Sequence, residues 1–168
     1  MPLSHVVICG LVALWLVGRP VPAAAQGDTE LARFVGAWRL VSWDNTVADG
    51  TTRKSPMTVG SLLYSASGRM CAVIMDPTRP VPKSQPPSEA DVKAAYDVVV
   101  AYCARVEVHG REGYILHYVE LEKSPAVVGR IRKRWFTFET PDRLVLRVDA
   151  AELGPATKEQ RLVWERVK

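Results

Sequence analysis

The sequence predicts an all-β fold, an up-and-down antiparallel β-barrel of eight to ten strands, with one helix at about residues 88–101 inserted between strands. Three observations carry this. From Trp38 onward the chain reads as short apolar alternations separated by turn dipeptides such as Asp49-Gly50 and Ser67-Gly68. Only the stretch opened by Ser88 has convincing helical spacing. The 168 residues allow one domain with a sound core, and successive antiparallel strands remove their exposed edges by closing on themselves.

Residues 1–25 stand apart from this pattern. An apolar run from Val6 to Val17, then Pro20 and Pro22, then Ala23-Ala24-Ala25 has the build of a secretory signal peptide with an Ala-x-Ala cleavage site. Arg19-Pro20 interrupts the run before it reaches the roughly 20 apolar residues of a spanning helix. Cys9 makes no lipobox, because Ile8 precedes it where a small residue is needed. The expectation is an exported protein, periplasmic or secreted, whose barrel domain covers residues 26–168 and makes no stable membrane insertion once the signal is cleaved.

Thr29 to Val35 predicts a single helical turn capping the barrel, with Asp28 or Thr29 as N-cap. Gly36-Ala37-Trp38 follows, a glycine that turns tightly into the first strand and an indole able to close the barrel base. Trp38 to Val47 is the long first strand, and Thr51 to Ser55 a short return strand broken by Pro56. Ser61 to Ala66 and Arg69 to Asp76 form a second hairpin, and the near-continuous apolar run from Met70 to Met75 predicts apolar neighbours on both faces. Pro77, Pro80, Pro82, Pro86 and Pro87 predict an extended surface loop. Ser88 then caps the helix, with Asp91 in its first turn and Val92, Ala95, Tyr96, Val99 and Cys103 on one stripe against the barrel or over one opening. The strand pattern resumes over Tyr102 to Val108, Tyr114 to Leu121, Ile131 to Glu139, Arg143 to Ala150 and Glu159 to Val167.

Alternation sorts the faces of these strands, provided no bulge shifts the register. Phe136 and Phe138 mark one face of their strand as interior, which carries Arg132 and Arg134 inward with them. Ile115, His117, Val119 and Leu121 share the more apolar face of the preceding strand, so His117 also looks inward. An imidazole and two guanidiniums beside two phenyl rings suit an apolar ligand with an acidic or carbonyl end, because arginine offers a planar fork to a carboxylate. The competing reading pairs Arg134 with Glu120 or Glu107 and makes His117 a satisfied core histidine.

Other classes find less support. The net charge of +4 is covered by a mixed-charge surface, and no nucleic-acid-binding motif occurs. After signal removal only His109 and His117 remain, and Cys71 and Cys103 lack metal-ligand spacing, so no metal and no cofactor are expected. The same two cysteines are left open between a disulfide and two free thiols. No nucleophile elbow, P-loop or dinucleotide fingerprint is present, so no catalytic residue is assigned. Two alternatives to ligand binding stay open: an isomerase or cyclase with His117 as acid/base, and a structural or protein-binding barrel with a filled interior.

Taken in order, Gly36-Ala37-Trp38-Arg39-Leu40-Val41-Ser42, Leu63-Tyr64-Ser65-Ala66-Ser67-Gly68-Arg69-Met70, Ala101-Tyr102, Leu116-His117-Tyr118-Val119-Glu120, Arg134-Trp135-Phe136, Asp142-Arg143-Leu144 and Leu162-Val163-Trp164-Glu165-Arg166 resemble the bacterial lipocalin-like domain family. The resemblance runs from about Leu31 to the C-terminus. It implies a calycin-type barrel with a helix inserted midway and a small hydrophobic ligand, and it adds Tyr102 to the ligand-binding set. Where the family pattern has an uncharged polar residue this chain has Arg132, which favours an anion-binding interior, and where it has paired histidines this chain has His117 followed by Tyr118. The resemblance also implies structural roles for Gly36, Trp38 and Arg166, with the arginine lying across the first-strand indole. Ligand chemistry is then expected above that floor, around His117, Arg132 and Arg134.

Overall fold

The computed structural model describes residues 30–168. The expected signal peptide and the capping candidates Asp28 and Thr29 lie outside the described residues. After a helical turn at residues 30–34 come β1 (Gly36–Val47), β2 (Thr52–Lys54), β3 (Val59–Tyr64), β4 (Arg69–Met75), α1 (Glu89–Asp97), β5 (Val99–His109), β6 (Tyr114–Glu122), β7 (Ile131–Thr140), β8 (Arg143–Asp149) and β9 (Thr157–Arg166). Neighbouring strands are antiparallel, and β1 closes the ring by pairing with β9 from Trp38 opposite Arg166 to Val47 opposite Thr157. Eight strands make the barrel. The ninth, β2, adds to the far half of β1 through Asp44–Thr46, beyond the stretch Gly36–Arg39 that pairs with β3.

One end of the barrel is filled. The helical turn delivers Phe34, fully buried, into edge-on contact with Tyr64, Phe136 and Phe138 at centroid distances of 5.2, 4.9 and 4.9 Å. Trp38 lies beside it, equally buried, and donates its indole N–H to the Phe34 carbonyl at 2.8 Å. Arg166 stretches its guanidinium 4.1 Å over the Trp38 ring and donates to the carbonyls of Val35 (2.6 Å) and Arg33 (2.7 Å). Gly36 makes room for this: its φ is +130°, and a Cβ there would stand 2.8 Å from Arg166 Nη1.

Three sequence expectations need correction. The helix stops at Asp97, and Val99, Val100 and Ala101 already pair with Met75, Ile74 and Val73, because β-branched side chains favour a sheet ladder over another helical turn. Cys103 therefore sits on β5, directly opposite Cys71, and the two are joined by a disulfide with Cα atoms 4.1 Å apart. The shortened helix buries no residue, and Val92 and Tyr96 remain exposed. It is tethered beside the open end by Tyr96, whose hydroxyl donates to the Lys123 carbonyl at 3.3 Å. Finally, β4 buries only Met70, Ala72 and Ile74 while Val73 faces solvent, since a single-layered wall has one core side.

Bulges decide the inner surface at the open end. β6 spends two positions where β5 spends one, so Cys103 faces Leu121 while the next residue, Ala104, faces Val119. The extra residue reverses the alternation beyond it. Leu121, expected inside, is 66% exposed, and the side chain of Glu122 turns in to 4% exposure. A similar shift between Leu40 and Ser42 in β1 lets Trp43 face inward although Trp38 and Leu40 do so in the other phase.

Candidate functional site

Between the packed base and the open end lies a cavity of about 320 Å³. Leu62, Ala72, Ile74, Val100, Leu146, Val148, Leu162 and the rings of Trp43 and Trp164 make most of its wall, while Tyr102, Arg132, Arg134, Glu152 and Gln160 supply polar groups. Its volume is at the lower end of the range of about 300–1,000 Å³ typical of small-molecule sites. Leu153 reaches the cavity from the loop after β8.

The two arginines reach this wall by alternation along β7, but neither is bare. Arg132 Nη2 is 2.9 Å from Glu122 Oε2, and its guanidinium lies 4.5 Å from the centre of the Tyr102 ring. Arg134 Nη1 donates to Glu152 Oε2 at 2.7 Å, and Glu152 Oε1 accepts the Lys133 backbone N–H at 2.8 Å. Arg134 is thus partnered by neither Glu120 nor Glu107: Glu120 pairs with Arg69, and Glu107 accepts from the Tyr118 hydroxyl. The two pairs differ in exposure. Glu122 is sealed at 4%, whereas Glu152 stands on the short turn Ala150–Glu152 at 29%.

His117 sits behind this wall. It is fully buried, with Nε2 3.0 Å from the Tyr64 hydroxyl and Nδ1 2.9 Å from that of Tyr102. Burial above all, then the nearby Arg134 and Arg132 charges, hold its pKa well below 6.5, so the imidazole is neutral. Burial also pushes the Tyr64 phenol well above its usual value, with Tyr102 adding to the shift and Arg134 opposing it. The other histidine of the described chain, His109, stacks on Tyr114 at 4.4 Å, at the opposite end of β5.

Of the sequence-derived set, Tyr102, Arg132 and Arg134 therefore meet at the cavity, and His117 touches it only through Tyr102. Phe136 and Phe138 share their strand face but pack on Phe34 at the filled end. Sequence reading missed Glu122 and Glu152 as partners of the arginines and Tyr64 as a partner of His117. Tyr64 was accessible in principle, at the same alternation as buried Leu62. Glu122 was not, because its orientation depends on the bulge.

A closed antiparallel barrel with a packed base and an open cavity is the architecture expected from the segment order, and comparison with known families decides the matter. The model of the lipocalin-like domain matches residues 35–167. The chain belongs to the lipocalin-like domain family. Among curated proteins none matches it. A solved structure of a redesigned β-barrel is similar at 11% identity and a TM-score of 0.41, covering 82% of this chain and 95% of its own; at that level it carries no argument. Among the described residues of this lipocalin-like barrel, no helix is long and apolar enough to cross a membrane.

Proposed function

We propose that this lipocalin-like barrel is an exported protein that binds one small, largely apolar molecule, with an acidic or carbonyl end set against Tyr102, Arg132 and Arg134. The observation that carries the reading is the cavity itself: apolar over most of its wall, with these three polar side chains among its lining. A barrel that only packs fills its interior, as this one does around Phe34 but not beyond Tyr102. The Cys71–Cys103 disulfide supports the exported part of the reading, since such bonds persist in oxidising compartments. The isomerase or cyclase alternative draws less support, because both nitrogens of His117 are held by tyrosines and its ring has no contact with the cavity.

A ligand carboxylate would meet guanidiniums that already hold carboxylates. Arg134 is the one that can exchange, because its partner Glu152 is on a partly exposed turn while Glu122 is sealed. Titration with a fluorescent medium-chain fatty acid tests this. Arg134→Leu is expected to weaken the probe about tenfold, the worth of one charge-assisted hydrogen bond, with the circular dichroism spectrum unchanged. Unchanged affinity in both Arg134→Leu and Arg132→Leu would sink the acidic-end claim.

A further inference from the structure

We propose that Tyr102 selects the ligand end the cavity accepts, requiring a hydrogen-bond acceptor there, because the buried Tyr64–His117 pair leaves the Tyr102 hydroxyl proton free. This rests on the binding reading above and names the chemistry of the bound end. A neutral imidazole donates from one nitrogen and accepts at the other, so its two tyrosine partners cannot play the same part. In one arrangement Tyr64 donates to Nε2 at 3.0 Å and Nδ1–H donates to the Tyr102 oxygen at 2.9 Å. In the other, both directions reverse and the Tyr64 proton needs a further acceptor. Tyr64 is buried against the Phe34 ring, and among the described residues its hydroxyl has His117 as its hydrogen-bond partner. A stranded donor there costs its full desolvation, whereas Tyr102 lines the cavity. The first arrangement therefore holds, and the tautomer of His117 aims a donor at the ligand.

Arg132, stacked on Tyr102, also carries donors only, so a ketone, aldehyde, ester or carboxylate oxygen fits beside this pair better than a hydrocarbon end. His117 acts here as a positioning residue.

Two measurements test the assignment on the folded protein. In ¹⁵N-histidine-labelled protein without ligand, His117 Nδ1 is expected to resonate as a protonated, pyrrole-type nitrogen and Nε2 as a pyridine-type one; the reverse overturns the role of Tyr102. Titration with 2-nonanone and with nonane is then compared between the wild type and Tyr102→Phe. The ketone is expected to bind the variant about tenfold more weakly, and the alkane as well or more tightly, since the variant leaves no donor stranded beside it. An equal change for both probes, or none, overturns the proposal. Failure of both to bind the wild type overturns the binding reading along with it, whereas a reversed tautomer overturns this role alone.

Discussion

The two ends of the barrel use the same strands and the same residue types to opposite effect. At the filled end a cation, Arg166, lies on an indole and turns both terminal nitrogens to backbone carbonyls, with the exposed Asp142 carboxylate 3.3 Å from its Nε. At the open end two cations, Arg132 and Arg134, spend theirs on carboxylates, one of them carried by a turn. Aromatic rings fill the first end, with Phe34 touching three others. Bulges open the second, and a cavity remains. A barrel can thus hold its stability in one half and leave the other half free to recognise something, as charge pairs around a cavity add little to folding once their desolvation is counted.

The sharpest test of that division is Trp38→Ala. It is expected to cost about 3–5 kcal/mol in chemical denaturation, because a fully buried indole leaves a hole that its neighbours cannot fill. A loss below about 1 kcal/mol would mean that the base is not where stability resides.

His117 joins the two ends and gives a pH signature. Its folded pKa lies well below 6.5, so above pH 6.5 the imidazole is neutral in both folded and unfolded chains and contributes no slope. As pH falls through about 6.5 the unfolded chain takes up a proton that the folded chain refuses, and stability drops by up to about 1.4 kcal/mol per pH unit. Unfolding free energies at pH 6.5, 5.75 and 5 are expected to show this decline in the wild type and a shallower one in His117→Gln. Identical slopes would place a charged or solvent-exposed imidazole at this position.

The smallest effect is expected at the open end. Glu152→Gln should change stability by no more than about 0.5–1 kcal/mol, since the pair it breaks is partly exposed. It should also raise the affinity for a medium-chain fatty acid about fivefold by releasing Arg134 to the ligand. Weaker binding in this variant would show that Glu152 helps to build the site.

Much of this architecture can be read along the chain. Strand positions follow from period-two alternation and turn dipeptides, and the Phe136–Phe138 pair correctly signals that Arg132 and Arg134 face inward, as alternation is a local property of the backbone. The helix boundary was less legible, since Val99 suits both a helical stripe and a strand, and only pairing with Met75 decides between them. The environment of the arginines was not legible. Glu122 lies where simple alternation points it outward, and Glu152 lies in a turn with no periodicity to read.

What the sequence alone determined, then, is a closed β-barrel with an aromatic base under Trp38 and arginines on an inward face. Tertiary structure alone decided what those arginines meet and that the Tyr64 and Tyr102 hydroxyls both meet His117. The physical reason is the range of the forces: alternation and turn chemistry act between near neighbours in the chain. The bulge in β6, the Glu152 turn and the burial of Tyr64 arise only when distant strands pair and enclose a common interior.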